Sequence, residues 1–215
     1  MNPSRDQNMG STEYFDQVSH KWDEMRKGFF TEEVREKALS RAGVQKGETA
    51  ADIGAGTGFI TEGLIQRGLQ VIAVDQSEAM LNEMKNKFAD KKGIDFRVGE
   101  AEVLPISDES VDYAFANMYL HHVESPSKAI QEMVRIVKRG GKIVITDMDE
   151  HPFAFLREEH HDRWMGFKRE DIRQWFSEAG LSNVVVEDLE ERCFAESNRS
   201  NVSANINLFL AIGEK

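Results

Sequence analysis

The sequence predicts an α/β domain: one mostly parallel sheet of seven strands with helices on both faces, closed by an antiparallel pair at its C-terminal end. Three observations carry this. Apolar runs of strand length alternate strictly with amphipathic helical stretches between residues 49 and 146, as in a doubly wound parallel sheet. A glycine turn, Gly54-Ala55-Gly56-Thr57-Gly58, joins the first of those runs to its helix. After residue 180, two strand-like runs, 184–189 and 206–212, follow with no helix between them, and a connection without a crossover helix makes an antiparallel pair.

Each element has its own signal. Residues 12–24 read as one short amphipathic helix with Tyr14, Phe15, Val18 and Trp22 on one side, and 25–30 as an apolar, mobile connection. Thr31 is an N-cap followed by Glu32 and Glu33, which suit the positive end of a helix that Gly43 ends. Residues 49–53 form the first strand and 59–66 its helix, and the second strand ends on Asp75. Ser77 caps a helix carrying Met80, Leu81, Met84 and Phe88, and strands follow at 94–98 and 111–116. Ser125-Pro126 is an N-cap with proline in the first turn; Ile130, Met133, Val134 and Val137 make the apolar face, Gly140-Gly141 stops the helix, and 142–146 is the fifth strand. Residues 152–165, rich in His, Arg and aromatics, read as a helix, and 169–179 as another, stopped by Gly180.

Composition narrows the function classes. The 215 residues suit one domain with a sizeable core. The net charge of −11 is spread along the chain and the basic residues are dispersed, which disfavours nucleic acid as a partner, since phosphate contacts need Lys and Arg clusters. Cys193 is the one cysteine, so no internal disulfide forms. With no long apolar run or signal-type segment, the expectation is a soluble cytoplasmic protein without stable membrane association, monomeric or a homodimer. Residues 1–12 are expected to be a disordered tail ahead of a single domain, 13–215.

The glycine turn carries the chemistry. Gly54, Gly56 and Gly58 permit backbone angles closed to other residues and let a ligand approach the main chain. The following helix presents free N–H groups to something negative, and Asp75, roughly 20 residues on, can accept hydrogen bonds from ribose hydroxyls. The spacing alone leaves two ligands open. A dinucleotide site wants G-x-G-x-x-G, whereas here the spacing is G-x-G-x-G preceded by Asp52. A carboxylate beside the turn repels a diphosphate and suits an ammonium group, which S-adenosylmethionine presents together with a carboxylate and a ribose.

At these residues the sequence resembles the class I S-adenosylmethionine-dependent methyltransferases, with their Rossmann-like sheet. The block Val98-Gly99-Glu100-Ala101-Glu102-Val103-Leu104-Pro105, running on to Asp108 and Asp112, is similar to the small-molecule branch that includes the ubiquinone and menaquinone methyltransferases (methyltransferase type 11). The resemblance spans roughly residues 14–213 and is strongest over 51–146. It implies a lid (13–45), a cofactor-binding core (46–147) and substrate-side helices and terminal strands (148–215). It implies cofactor contacts from Tyr14, Asp52, Gly54, Ala55, Gly56, Asp75, Gln76, Met80, Glu100, Ala101, Glu102 and Asn117. Glu100 stands where Asp is commoner, and its longer side chain can still accept from an exocyclic amine.

His121 and His122 are the candidate catalytic pair, because histidine titrates near neutrality; the alternative is that they pack and hydrogen-bond their loop. Trp22, Met118, His151, Arg157 and His161, with His160, are the candidates for acceptor contact. The segment 151–167 resembles "H-x-x-x-x-L-R-x-E-x-x-D-x-W-x-G-F" of bacterial enzymes of this branch. No metal is expected, since the histidine spacing matches no compact zinc signature. The expected activity is direct displacement of a methyl group from S-adenosylmethionine onto a small-molecule acceptor. The rivals are an NAD-dependent oxidoreductase and a non-catalytic sensor of S-adenosylmethionine or S-adenosylhomocysteine.

Overall fold

The computed structural model describes residues 11–215. Most of the expected tail therefore lies outside the described residues, but its last two members do not: Ser11 and Thr12 open the first helix. The sheet has seven strands in the order β3-β2-β1-β4-β5-β7-β6. They are β1 Thr49–Ile53, β2 Gln70–Asp75, β3 Ile94–Val98, β4 Val111–Asn117, β5 Val137–Met148, β6 Ser182–Glu196 and β7 Ser203–Glu214. β1 to β5 pair parallel, and β7 lies antiparallel to both β5 and β6. The strand order reverses between β1 and β4, and such a switch point opens a crevice at the carboxyl ends of the two strands.

The helices are α1 Ser11–Val18, α2 Trp22–Phe29, α3 Glu32–Ala42, α4 Phe59–Gln66, α5 Glu78–Lys87, α6 Pro126–Ile136, α7 Phe155–Glu159 and α8 Arg169–Glu178. Two apolar layers sandwich the sheet. One joins Ile53, Val111 and Ile145 to Ile130, Met133 and Phe176; the other joins Phe115, Val144 and Leu208 to Val34, Leu39 and Leu64. Thr31 and Ser77 cap α3 and α5 through their side chains, and Gly43 ends α3 with φ 69°, as the sequence indicates.

Six elements depart from the sequence reading. The expected single helix over 12–24 is broken by a 3₁₀ turn, Ser19–Lys21, where the Ser19 hydroxyl bonds the Asp16 carbonyl and competes with the helix ladder. The expected mobile connection at 25–30 is helical up to Phe29, because Trp22, Arg26 and Phe29 share one face of α2. The expected long helix over 152–165 shrinks to α7. Its amides are drawn elsewhere: His151 N–H donates to the Met165 carbonyl, and those of Arg163 and Trp164 both donate to the His121 carbonyl. Finally, β5, β6 and β7 outrun their predicted lengths. β5 starts at Val137, ahead of the two glycines, and the β6–β7 hairpin continues past a register shift between Asp188 and Arg192. Its distal half buries Cys193, Ala195, Ala204 and Ile206 against α2 and α7, an in–out alternation too weakly apolar to read as strand from sequence.

Candidate active site

The glycine turn and the end of β2 form one hydrogen-bonded unit. Gly54, Gly56 and Gly58 have φ of 66°, 53° and 92°, angles that L side chains resist. The Gly54 and Ala55 amides donate to the Val74 carbonyl at 2.9 and 3.0 Å. The Gly56 amide donates to Asp75 Oδ2 and the Ser77 amide to Asp75 Oδ1, both at 2.8 Å. Burial raises the Asp75 carboxyl, and these donors work against that rise. Each carboxylate oxygen has a second lone pair, so the donors leave room for ligand hydroxyls. Asp52 is buried beneath the turn, where its Oδ2 accepts from the Thr61 amide at 2.9 Å and hydroxyl at 2.7 Å. Burial outweighs those bonds and pushes its carboxyl up to about 7. Asp52 thus ties β1 to the start of α4 as well as lining the cleft.

That cleft holds about 780 Å³ counting its mouth and is lined by Asp52, Gly54, Ala55, Gly56, Asp75, Gln76, Met80 and Asn117. Eight of the twelve expected cofactor residues therefore converge on one space. The first two helices close it. The Thr12 hydroxyl donates to Gln76 Oε1 at 2.9 Å, the Ser77 hydroxyl to Asp16 Oδ1 at 2.6 Å, and the Thr57 hydroxyl to Asp23 Oδ1 at 2.6 Å. Lys87 Nζ reaches the other Asp23 oxygen at 3.0 Å, and the Arg26 guanidinium lies 4.2 Å over the Phe59 ring.

Behind Phe15, Trp22 and Met118 lies a second, mostly apolar cavity of about 450 Å³ counting its open mouth. Its lining adds Phe29, Met148, Leu156 and Cys193 to a polar corner of His121, His122, His160 and Asp162. The two cavities share Phe15, Trp22, Phe30, Met118 and His122. Met118 reaches this position with φ 49°, its amide bonded to the Thr146 carbonyl at 2.8 Å, and a positive φ away from glycine marks a constrained, functional backbone. The Thr146 hydroxyl donates to Asn117 Oδ1 at 2.7 Å, so the ends of β4 and β5 are latched together beneath the shared wall.

The two histidines have opposite environments. His121 is buried, with Nδ1 2.7 Å from Asp147 Oδ1, its amide 3.3 Å from Asp147 Oδ2, and Nε2 3.8 Å from Asp162 Oδ1. Burial opposes its charge, but the two carboxylates prevail and lift the ring to about 9. A ring that holds its proton at neutral pH is no base. His122 lies across the shared wall with Nδ1 buried and without a hydrogen-bond partner among the described residues. Burial and the neighbouring His121 charge hold it well below its ordinary value, hence neutral.

Several expected contacts fall elsewhere. Tyr14 borders the second cavity, with its hydroxyl 3.4 Å from His160 Nδ1, and not the glycine turn. Glu102 holds the entry to α6: its Oε1 accepts from the amides of Glu124 and Ser125, just ahead of the helix, at 2.9 and 3.1 Å, while the Ser125 side chain makes no cap bond. Glu100 is exposed and Ala101 buried, and neither lines the cleft. His151 is buried with Nδ1 accepting from the Phe153 amide, and burial lowers it to about 4. Arg157 is exposed and His161 turns back on Tyr14 with φ 62°; with His151 they lie outside both cavities. Trp22 and Met118 line both.

The sequence reading passed over Tyr119, Asp147 and Asp162. The Tyr119 ring lies directly on Gly54, so that a β-carbon there would collide with it. Burial raises the Tyr119 hydroxyl, and the charges of Asp75, Glu102 and Glu100 raise it further, so the ring spans the ground between Asp75 and the acidic loop. The position of Asp147 at the end of β5 was a usable signal. Asp162, forty residues beyond the histidines, was marked only as the D of the pattern over 151–167, with no sign that it meets them.

Residues 51–145 match the model of the methyltransferase-domain family. A demethylmenaquinone methyltransferase of Renibacterium salmoninarum is 34% identical over 66% of this chain and 60% of its own length. The chain spans about half to three fifths of the length of the curated relatives it matches. Among solved structures, a Haemonchus contortus phosphoethanolamine N-methyltransferase in complex with S-adenosyl-L-methionine superposes with a TM-score of 0.70, at 20% identity over 84% of this chain and 52% of that one. The [4+2]-cyclase SpnF superposes with a TM-score of 0.76, at 14% identity over 96% and 97% of the two chains. A cyclase on the same scaffold shows that the fold by itself does not dictate the reaction. Strand order, antiparallel ending and glycine turn agree with the family match: residues 51–145 carry a methyltransferase domain, and the described chain takes the fold of the solved S-adenosylmethionine-dependent methyltransferases.

Proposed function

We propose that this chain transfers the methyl group of S-adenosylmethionine to a small, largely apolar acceptor of the quinol type, by direct displacement. The observation that carries the reading is the pair of cavities sharing one wall, one built on the glycine turn and Asp75, the other apolar with a polar corner. Bound in the first, the cofactor supplies a methyl group made electrophilic by its sulfonium. The chain's own task is placement in a dry site, which lowers the barrier mainly through orientation and exclusion of water.

In this reading Asp75 accepts from the ribose hydroxyls, Gln76 and Met80 flank the adenine, and Asp52 and the glycine turn shape the methionine end. Asn117 and Met118 stand beside the reacting centre, and aromatic faces of Phe15 and Trp22 suit a sulfonium cation. Tyr119 leaves Gly54 for the cofactor to enter, which opens the way to Glu100 and Ala101 at the rim. The neutral His122 faces the acceptor, and the cationic His121 holds the wall. The domain roles follow: 13–45 as lid, 46–147 as cofactor core and 148–215 as the acceptor side.

The quinol class rests on the demethylmenaquinone relative and on the aromatic and aliphatic lining of the second cavity. No described helix is long and apolar enough to cross a membrane, and the acidic surface disfavours nucleic acid. We place the protein in the cytoplasm, as a monomer or homodimer. Calorimetric titration with S-adenosylmethionine, S-adenosylhomocysteine and NADH tests the cofactor: binding of the first two and not the third is expected, and NADH binding alone would overturn it. Tight binding with no turnover over a panel of quinols, phenols, thiols and amines would favour a sensor.

A further inference from the structure

We infer that His121, His122 and Asp162 form a site for a divalent first-row transition-metal ion, open towards the apolar cavity. There the ion would bind and ionise a hydroxyl oxygen of the acceptor. The existence of the site stands on its own geometry; its use rests on the methyl-transfer reading above.

One donor atom from each of the three residues lies within 4.8 Å of the others. Asp162 Oδ1 is the hub, 3.8 Å from His121 Nε2 and 3.9 Å from His122 Nδ1. Both separations are too long for hydrogen bonds. Donors on one tetrahedral ion, with bonds of about 2.0–2.1 Å, stand roughly 3.3 Å apart, so closure asks for shifts of about 1.5 Å at most. Two imidazoles and one carboxylate are a donor set of zinc and non-haem iron sites, whereas magnesium and calcium prefer all-oxygen surroundings.

Two independent observations point to a ligand. The His122 side chain is about nine-tenths buried, and its Nδ1 has no hydrogen-bond partner among the described residues, an arrangement that costs free energy unless something else fills it. His121 carries the support that metal-ligating histidines carry: Nδ1 on a fully buried carboxylate, Asp147 Oδ1, at 2.7 Å. That fixes the ring and turns Nε2 outward, where a binding ion displaces the proton that the metal-free ring carries. The carboxylate is itself held, since the Met148 amide donates to Oδ1 at 2.7 Å.

The fold assembles the set deliberately. The 3₁₀ turn Leu120–His122 after β4 places the two rings 4.1 Å apart, centroid to centroid. The Arg163 and Trp164 amides clasp the His121 carbonyl at 3.0 Å, and Trp164 Nε1 bonds the Val123 carbonyl at 3.0 Å. These bonds pin Asp162 over the histidines. The remaining side faces Phe29, Met118 and Leu156 across the cavity, a dry place for an open coordination position.

An acceptor O–H that binds the ion there loses its proton to solvent. The new C–O bond then forms at the methyl carbon as the cofactor's S–CH3 bond breaks, its electron pair returning to sulfur.

The test uses the whole chain after chelator treatment. Titration with Co(II), read by visible absorption, and with Zn(II) by calorimetry should show one ion per chain, with intense Co(II) bands of a four-coordinate site. His122→Ala and Asp162→Asn should each weaken binding by at least roughly tenfold, Asp162→Glu should restore much of it, and the two Asp162 variants, which lie outside the cofactor cleft, should keep their affinity for S-adenosylmethionine. Parallel anaerobic Fe(II) titration ranks iron against zinc. Should Asp162→Asn fail to fold, X-ray absorption of the Zn(II)-loaded native chain counts its imidazole ligands, two being expected. No ion uptake, uptake that both variants retain, or a bound ion without imidazole ligands overturns the proposal. Ion binding without S-adenosylmethionine binding would leave the site standing and defeat the methyl-transfer reading; the converse would do the reverse.

Discussion

The two cavities that meet at Met118 and His122 are built in different ways. The cofactor-side cleft comes from consecutive elements, β1, the glycine turn and the end of β2, and backbone amides supply most of its hydrogen bonds. The acceptor-side cavity is gathered from α1, α2, the 3₁₀ turn after β4, α7 and the distal half of β6, and side chains make its contacts. A backbone-built site reuses a scaffold and suits one cofactor; a side-chain-built site can be rewritten one residue at a time, and in the reaction we propose acceptor choice lies there.

The comparison breaks most directly at Asp75. Asp75→Ala removes the ribose acceptors and releases the Gly56 and Ser77 amides, so affinity for S-adenosylmethionine should fall by roughly tenfold to a hundredfold. Calorimetry reads this, and an unchanged dissociation constant would remove the ribose assignment. His151→Ala, buried away from both cavities, should leave that constant unchanged.

On the acceptor side the largest effect is a pH dependence. In metal-free protein the His121 ring rises from its ordinary 6.5 to about 9. The stability it contributes is complete below about pH 6.5 and fades as pH climbs through 9, on the order of 3 kcal/mol in all. Urea unfolding of chelator-treated protein at several pH values should show that decline, and His121→Asn should flatten it. A native profile that is level from pH 6 to 9 would show that the Asp147 and Asp162 carboxylates do not hold the proton.

Tyr119 sharpens the contrast further, because it is a side chain placed in the backbone-built cleft. Tyr119→Ala removes the ring from Gly54 and should tighten cofactor binding several-fold, roughly 1 kcal/mol, with faster association in stopped flow. Weaker binding would instead make Tyr119 a cofactor contact. The smallest effect belongs to the lid. Asp23→Ala cuts the links to Thr57 and Lys87, partly exposed bonds worth about 1 kcal/mol or less. It should speed cofactor release by a few-fold and leave the rate of the chemical step alone.

Legibility followed the same division. The glycine turn, Asp75, Ser77 and Thr31 announced themselves because turn chemistry and helix caps are local, and the bounds of β1, β3 and α4 follow from short-range pattern alone. The segment 151–167 misled, since its helical composition was overridden by amides that bond to His121 and Met165. Glu102 sits in a stretch that resembles an adenine site, yet its carboxylate was claimed by the N-terminus of α6, whose position the sequence does not disclose.

By itself, then, the sequence determined the order of strands and helices, the antiparallel ending, the glycine turn and the carboxylate at the end of β2. Those features depend on side-chain period and on backbone angles within a few residues of one another. Only the tertiary structure decided that His121 is clamped between Asp147 and Asp162, that His122 keeps an unpartnered nitrogen at the shared wall, and that Tyr119 covers Gly54. These are contacts between segments distant in the chain. Their charges and proton affinities are set by burial and by partners, which exist only once the sheet has brought the ends of β4 and β5 beneath the 160s segment.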